Sequence, residues 1–173
     1  MFSWISNYLY KTPIWVSEDL RDGNQSLING YNIKNKINIW NLILEIGIKQ
    51  IVLGFPSSNK HDYNFIKYLI KNKLIPNDVI VSILIPCKKK LIDISFDIVK
   101  NIDNVIFHLY NSISKIQRKK VFKFSKKKTL NFSLQNNKYL ISIIKKNRKN
   151  SFLQYSPESF SDSELFFSKK ISF

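Results

Sequence analysis

The chain has 173 residues, which is enough for one domain with a sizeable hydrophobic core. Its net charge of +16 would ordinarily favour a nucleic-acid partner, but arginine, the residue best suited to bidentate phosphate contacts, is scarce and alanine is absent, as in an AT-biased genome. A single cysteine, Cys87, excludes a disulfide framework. Without a signal-peptide pattern or an apolar run of about 20 residues, we expect a cytoplasmic protein with neither a membrane nor a nucleic-acid partner.

Short apolar runs alternate along the chain with segments of helical periodicity. The runs predict strands at 13–16, 50–53, 78–85, 104–107 and 152–155. The periodic segments predict helices at 33–46, 61–73, 88–100, 114–122, 134–146 and 161–171, with a solvated lysine-rich bend at 123–128. Continuous apolar strands that alternate with helices are typical of a parallel sheet covered on its outer side. The predicted fold class is therefore α/β.

The charged loop after the first strand, Ser17–Gln25, is the most informative segment of the chain. Arg21 and Asp22 are neighbours in sequence, so we expect that their side chains do not pair across a helical turn. An arginine beside an acid at the end of a buried strand is suited to holding an anionic oxygen next to a bound cation. The simpler alternative is a polar loop with an incidental ion pair.

The run Asp19-Leu20-Arg21-Asp22-Gly23-Asn24-Gln25 resembles the signature loop of the 2-isopropylmalate synthases. These enzymes belong to a wider family of acyl-CoA condensing enzymes and lyases built on a metal-containing TIM barrel. Four later blocks fit the same branch, namely Gly54–Pro56, Leu84–Lys88, His108–Ser112 and Tyr155–Ser159. Each block follows a predicted strand, which is where the loops of a TIM barrel assemble its active site.

The resemblance implies catalytic roles for Arg21 and Glu158, substrate binding by His108 and Ser156, and metal binding by Asp22. In such a site a desolvated carboxylate can have its pKa raised and exchange protons with the substrate. The implied reaction is a Claisen condensation of acetyl-CoA with 2-oxoisovalerate, a step of leucine biosynthesis. The implied cofactor is a divalent metal, Mg²⁺ or Mn²⁺ with Zn²⁺ as an alternative, that chelates the 2-oxo acid.

Several positions depart from the family pattern or take a structural interpretation. Val52 stands where the family usually has a glutamate, so a polar contact is lost. Lys88 stands where the family more often has an arginine, so the charge is kept but the two parallel hydrogen bonds of a guanidinium are lost. We expect Cys87 to be a small buried residue, because no histidine nearby in sequence activates it. We expect His61 to face solvent at the start of a helix.

A complete barrel of eight units needs about 250 residues, so the resemblance predicts a partial (β/α)8 TIM barrel with about the first five strand–helix units. Residues 1–173 are expected to form an incomplete pyruvate-carboxyltransferase-like domain. The later barrel units, with the family's His-x-His metal ligands, and the regulatory domain are expected to be absent. A complementing chain or a homodimer is the expected macromolecular partner.

Three other functions stay open at this point. The chain could belong to a homocitrate or citramalate synthase, because the residues that select the oxo-acid side chain are not decisive. It could belong to a metal-dependent lyase that runs related chemistry in reverse, although Asn24 and the Tyr155–Ser159 block favour a synthase. It could also be an inactive remnant or one half of a split enzyme.

Overall fold

The computed structural model describes residues 8–147 and 150–172 of the chain. Five strands form one parallel sheet, in which they lie in the order of the sequence. The strands are β1 (Val16–Ser17), β2 (Gln50–Gly54), β3 (Ile80–Pro86), β4 (Val105–Ser112) and β5 (Ser151–Glu158). The helices are α1 (Asp22–Gln25), α2 (Ile33–Ile46), α3 (Lys60–Lys71), α4 (Lys89–Ile98), α5 (Lys126–Asn147) and α6 (Leu165–Ser172). A π-helical turn at Gln117–Phe122 precedes α5, and a 3-10 turn at Phe160–Asp162 precedes α6.

The hydrophobic core lies between one face of the sheet and the helices. Val81, Ile83 and Ile85 of β3 are fully buried in the same cluster as Trp40 of α2 and Phe65 of α3. Side chains of a strand alternate between its two faces, so the odd-numbered positions of β3 to β5 face the helices. The even-numbered positions lie on the opposite face, which we call the inner face, and this is where the candidate site is found.

The ends of two helices follow directly from their sequences. Asn32 caps α2 by accepting a hydrogen bond from the Asn35 backbone N–H at 2.9 Å. Asn59 caps α3 in the same way through the His61 backbone N–H, also at 2.9 Å. Gly47 ends α2 with φ at 89°, a left-handed conformation that a residue without Cβ adopts at little cost. These stops return the chain to the sheet at β2.

The first predicted strand is wrong in both extent and burial. The strand covers only Val16–Ser17 rather than 13–16. Ile14 and Trp15, predicted to be buried, are 77% and 68% exposed. The physical reason is position, because within the described part of the chain β1 pairs with β2 alone and so lies at an edge of the sheet. An apolar run in sequence predicts burial only where both sides of the strand are covered.

Two further boundaries also needed correction. β4 and β5 extend to Ser112 and Glu158, so the polar blocks predicted to be loops after strands lie within the strands themselves. The lysine-rich segment 123–128, predicted to be a bend, turns at Lys123, which has φ at 53°. The rest of the prediction is wrong, because Lys126–Lys128 already belong to α5, which runs from Lys126 to Asn147.

The predicted fold class is confirmed as a five-stranded parallel sheet with alternating helices, the arrangement of part of a TIM barrel. β1 and β5 are its two edge strands. Among residues 8–147 and 150–172, no helix combines the length and the apolar character needed to cross a membrane.

Candidate active site

The loop after β1 fixes the orientation of the Arg21 guanidinium. Arg21 Nε donates to Glu18 Oε2 at 2.8 Å, and its NH2 group lies 2.6 Å from the same oxygen. Arg21 NH1 donates to Asp22 Oδ1 at 3.0 Å. The expectation concerned pairing across a helical turn, whereas the structure shows a direct contact between neighbours, because the long side chain of Arg21 folds back onto Asp22 at the start of α1. Two carboxylates hold the guanidinium in place, and its side chain is only 18% exposed.

The same loop is closed by Asn24. Its Oδ1 accepts a hydrogen bond from the Tyr31 backbone N–H at 2.6 Å. A Cβ built on Gly30 would lie 3.2 Å from the same oxygen, so the close approach of the chain favours glycine there. Asn24, which carries part of the family resemblance, thus fixes the loop that leads from Arg21 into α2.

His108 and Ser156 meet on the inner face of the sheet. His108 Nε2 lies 2.6 Å from Ser156 Oγ, across the β4–β5 pair. Burial lowers the pKa of His108 below its ordinary value of 6.5, and the positive charge of Arg21 lowers it further. The imidazole is therefore favoured in its neutral form, in which one ring nitrogen donates a hydrogen bond and the other accepts one. Arg21 therefore lies close enough to His108 for its charge to act on the imidazole.

Tyr110 joins this group from the next inner-face position of β4. Its ring packs edge-to-face on Phe55 with centroids 5.9 Å apart. Burial raises the pKa of the Tyr110 hydroxyl, the negative charge of Glu158 raises it further, and the positive charge of Arg21 opposes them. Tyr110 therefore stays protonated at neutral pH and can donate a hydrogen bond into the site. Glu158, at the end of β5, is exposed, which does not match the desolvated carboxylate that its proposed role as a proton carrier calls for.

A buried ion pair supports the turn after β2. Lys36 Nζ and Asp62 Oδ1 pair with side chains only 1% and 5% exposed, and Asp62 Oδ2 accepts from the Phe55 backbone N–H at 2.8 Å. Gly54 has φ at 122°, and a Cβ built there would lie 2.6 Å from Asp62 Cγ. Glycine at position 54 is thus required both by the backbone conformation and by the approach of Asp62.

The described residues do not by themselves fit a divalent metal. Within residues 8–147 and 150–172, no three His, Cys, Asp or Glu side chains cluster as metal ligands would. Asp22 is 64% exposed, and one of its oxygens already accepts from Arg21. Mg²⁺ and Mn²⁺ bind several oxygen ligands, supplied by protein, substrate and water together. One carboxylate supplies only a small part of that set. Metal binding by Asp22 stays a prediction.

Of the four residues predicted to contact or transform the substrate, His108 and Ser156 are in direct contact. Arg21 and Glu158 lie close enough for their charges to act on His108 and Tyr110. The roles of all four residues stay predictions. Cys87 is buried, and burial raises the pKa of its thiol to about 12, in keeping with a structural residue. His61 is exposed, as expected.

Four supporting residues were not found from the sequence. Glu18 could have been recognised by its spacing of three from Arg21, which places two side chains on one side of a helical turn. Tyr110 could have been recognised by its spacing of two from His108 on a strand. The Lys36–Asp62 pair gave no signal, because lysine is seldom buried and the partners lie 26 residues apart.

Comparison with known proteins identifies what this chain is similar to. A family model described as HMGL-like matches residues 12–172. The chain is 36% identical over 170 residues to a 2-isopropylmalate synthase of Acetoanaerobium sticklandii, covering 98% of this chain and 30% of the relative. It is 37% identical over 173 residues to a 2-isopropylmalate synthase of Schizosaccharomyces pombe, covering 97% of this chain and again 30% of the relative. The chain thus spans about a third of the length of the curated relatives that it matches.

Proposed function

The chain belongs to the HMGL-like family, and we propose that it acts in a 2-isopropylmalate synthase-like acyltransferase. The proposed reaction condenses acetyl-CoA with 2-oxoisovalerate in leucine biosynthesis. The observation that carries the proposal is the similarity of nearly the whole chain to relatives of that name. Because the chain spans about 30% of those relatives, we propose the activity for an assembly with a complementing chain or a second copy rather than for this chain alone.

The site supports this proposal through its arrangement of charge. Arg21, oriented by Glu18 and Asp22, is proposed to donate hydrogen bonds to the ketone oxygen of the 2-oxo acid. When the acetyl carbon attacks the ketone carbon, a carbon–carbon bond forms and the ketone oxygen becomes an alkoxide. A fixed guanidinium stabilises that developing negative charge more than it stabilises the neutral ketone, which lowers the barrier.

His108 and Ser156 are proposed to hold the substrate in place. As a neutral imidazole, His108 shares one hydrogen bond with Ser156 Oγ and keeps its other nitrogen for a second partner. Glu158 is proposed to accept the proton that leaves the acetyl methyl group. The alkoxide takes up a proton and becomes a hydroxyl group. Water then hydrolyses the thioester, which releases CoA as the free thiol and leaves the product as a dicarboxylate.

We derive no step from a divalent metal, because the described residues do not fit one by themselves. Asp22 is proposed as a single ligand in the assembly, with Mg²⁺ or Mn²⁺ as the proposed ion. Its remaining ligands would come from substrate, water and other residues of the assembly.

Release of free CoA tests the proposal directly. The recombinant chain would be assayed alone and mixed with the remaining part of the Acetoanaerobium sticklandii relative, with acetyl-CoA and either 2-oxoisovalerate, pyruvate or 2-oxoglutarate. We expect release in the mixture with 2-oxoisovalerate and none from either part alone. Preference for pyruvate or 2-oxoglutarate would instead assign a citramalate or homocitrate synthase. A mixture that binds together and releases no CoA would favour an inactive remnant.

A further inference from the structure

A groove of about 400 Å³ opens at the start of α5, beside the edge of the sheet that carries the candidate site. Its walls combine two aromatic rings, two lysines and two carboxamides. These are Phe124, Phe132, Lys127, Lys128, Asn131 and Gln135. None of the six has a role in the chemistry proposed above. We propose that this groove binds the phosphorylated adenosine end of a CoA thioester, an inference that rests on acetyl-CoA being a substrate of the assembly.

The positive charge in the groove is not neutralised by the described part of the chain. The first turn of α5 carries Lys126, Lys127 and Lys128 and no acidic residue. Lys126 pairs with Glu164 at 3.1 Å, whereas Lys127 and Lys128 form no salt bridge within residues 8–147 and 150–172. Cations at the start of a helix are opposed by its dipole, so these lysines are destabilised where they stand. A bound phosphate would remove both the repulsion among the lysines and the conflict with the dipole.

The aromatic side chains give the groove a surface suited to a purine base. Phe124 and Phe132 are partly buried, with ring centroids 5.7 Å apart and planes inclined at 65°. Lys128 Nζ lies 4.3 Å from the centroid of the Phe124 ring. A base that stacks on an aromatic ring beside lysines gains both dispersion and electrostatic attraction for its phosphates.

The carboxamides supply the polar contacts that a purine edge requires. Asn131 and Gln135 are exposed and four residues apart on α5, which places them on one side of the helix. Each offers one acceptor and two donor hydrogens, so the pair can match the amino group and ring nitrogens of adenine. Free phosphate would use the lysines alone, whereas an adenosine phosphate would use all three kinds of side chain.

The groove is connected to the candidate site through β4. Phe124 and Phe132 also line a small cavity together with Asn111 and Ser112, the last residues of β4. At about 3.3 Å per residue, Ser112 lies about 13 Å along the strand from His108. Asn111 faces α5, where its Oδ1 accepts from Ser133 Oγ at 2.8 Å, whereas His108 and Ser156 lie on the inner face. The thioester arm of a nucleotide held in the groove would therefore pass over the end of the sheet to reach His108 and Ser156.

Calorimetric titration of the full chain with adenosine 3′,5′-bisphosphate tests the inference without requiring turnover. We expect saturable binding that the double substitution Lys127→Glu/Lys128→Glu weakens at least about tenfold, because each charge-assisted contact to phosphate is worth about 1.5 kcal/mol or more. The matched control is Lys145→Glu/Lys146→Glu, which makes the same charge change in the last turn of α5. The control should bind the bisphosphate as the unaltered chain does.

A second substitution separates the base from the phosphates. Phe124→Leu keeps an apolar residue but loses the stacking surface, and should weaken the bisphosphate about fivefold or more while leaving inorganic phosphate binding unchanged. Circular dichroism would verify that this variant is folded. Equal loss in the Lys127/Lys128 and Lys145/Lys146 variants would overturn the inference, since it would indicate attraction by net charge alone.

Other results would also contradict the groove assignment. The absence of saturable bisphosphate binding would exclude a CoA subsite. Displacement of the bisphosphate by single-stranded DNA at lower concentration would also exclude it, and would indicate a nucleic-acid-binding surface instead. Failure of the groove is distinguishable from failure of the proposed function. If 2-oxoisovalerate shifts the NMR signal of His108 while the bisphosphate does not bind, the groove assignment is wrong and the proposed site stands. If the bisphosphate binds while 2-oxoisovalerate leaves the His108 signal unchanged, the groove assignment stands and the proposed site is wrong.

Discussion

His108 of β4 and Ser156 of β5 lie side by side on the inner face of the sheet, with Nε2 and Oγ 2.6 Å apart. The two residues are 48 positions apart in sequence, and the parallel register of β4 and β5 brings them together. The contact joins two of the blocks that carry the family resemblance. It also depends on the charge state of His108, because an imidazolium can only donate to the serine, whereas the neutral ring can also accept from it.

The charge state of His108 should respond to Arg21. Arg21→Gln removes a positive charge, so the pKa of His108 should rise, while burial still holds it below 6.5. NMR titration of the imidazole Cε1–H signals measures this, and His61→Gln assigns the two histidines. Lys49→Gln, on the exposed side chain that pairs with Asp78, is the control and should leave the His108 signal unchanged. An unaltered pKa in Arg21→Gln would show that the two groups do not share a site.

The same shift predicts how stability depends on pH. A histidine whose folded pKa is depressed binds protons less well in the folded state than in the unfolded state. Its contribution to the free energy of unfolding is fully present above the unfolded value of about 6.5 and is lost as the pH falls through the folded pKa. His108→Gln should therefore reduce the slope of stability against pH just below 6.5, measured by urea unfolding.

Two glycines allow steric conflict to be separated from backbone strain. Gly47 and Gly54 both have positive φ, at 89° and 122°, so alanine is strained at either position. Only at Gly54 does the new methyl group meet a neighbour, Asp62, whereas nothing lies within 4 Å at Gly47. Gly47→Ala should cost about 1 kcal/mol of unfolding free energy, and Gly54→Ala clearly more. Equal costs in chemical denaturation would mean that Asp62 does not press against the β2 turn.

The Lys36–Asp62 pair should be far more sensitive to substitution than an exposed pair. Asp62→Asn leaves the Lys36 ammonium buried without its counter-charge, and such a loss typically costs about 3–5 kcal/mol. Asp78→Asn breaks the exposed pair with Lys49, where both side chains are more than half exposed, and should change stability little. Chemical denaturation of the two variants compares them. A similar small effect in both would show that Lys36 reaches solvent when Asp62 is neutral.

The sequence predicted the strand–helix order well because buried parallel strands and amphipathic helices leave clear patterns. α2 was predicted at its observed bounds, where Asn32 and Gly47 provide a cap and a stop. β4 and β5 were predicted too short, because His108, Tyr110 and Ser156 are polar side chains on an inner face that holds the candidate site. A prediction from the hydrophobic pattern alone assigns the polar residues of such a strand to a loop.

The candidate site was predictable to the extent that its residues come late in successive strand–loop segments. The structure brings His108 and Ser156 together, but within β4 and β5 on the inner face rather than in loops after the strands. The sequence did not predict what holds the site residues, because the Arg21–Glu18 contact and the buried Lys36–Asp62 pair depend on side-chain geometry rather than on pattern. It mispredicted β1, because the number of neighbours of a strand cannot be read from its own residues.

The edge strands should make the isolated chain associate with itself. β5 pairs only with β4, and large apolar side chains beside it are exposed: Phe152 is 56%, Leu165 74% and Phe166 87% exposed. An open parallel edge beside such a surface favours pairing with another chain. Sedimentation velocity should show concentration-dependent association that Phe166→Lys reduces, while Ile28→Lys, at a fully exposed loop position, does not. A single monomeric species at all concentrations would contradict this expectation.

Arg21→Lys should separate turnover from binding in the active assembly. Lysine keeps the positive charge but cannot reproduce the contacts of the guanidinium with Glu18 and Asp22, so the charge is no longer fixed beside the reacting oxygen. A lost electrostatic contact of this kind is worth roughly 3 kcal/mol, so kcat should fall about a hundredfold while KM for 2-oxoisovalerate changes little. Glu18→Gln tests positioning, since it leaves Arg21 intact but removes one of its two carboxylate partners. It should lower kcat by a smaller factor, again at nearly constant KM. If Arg21→Lys instead raises KM and leaves kcat unchanged, the guanidinium binds the ground state of the substrate and does not stabilise the developing alkoxide.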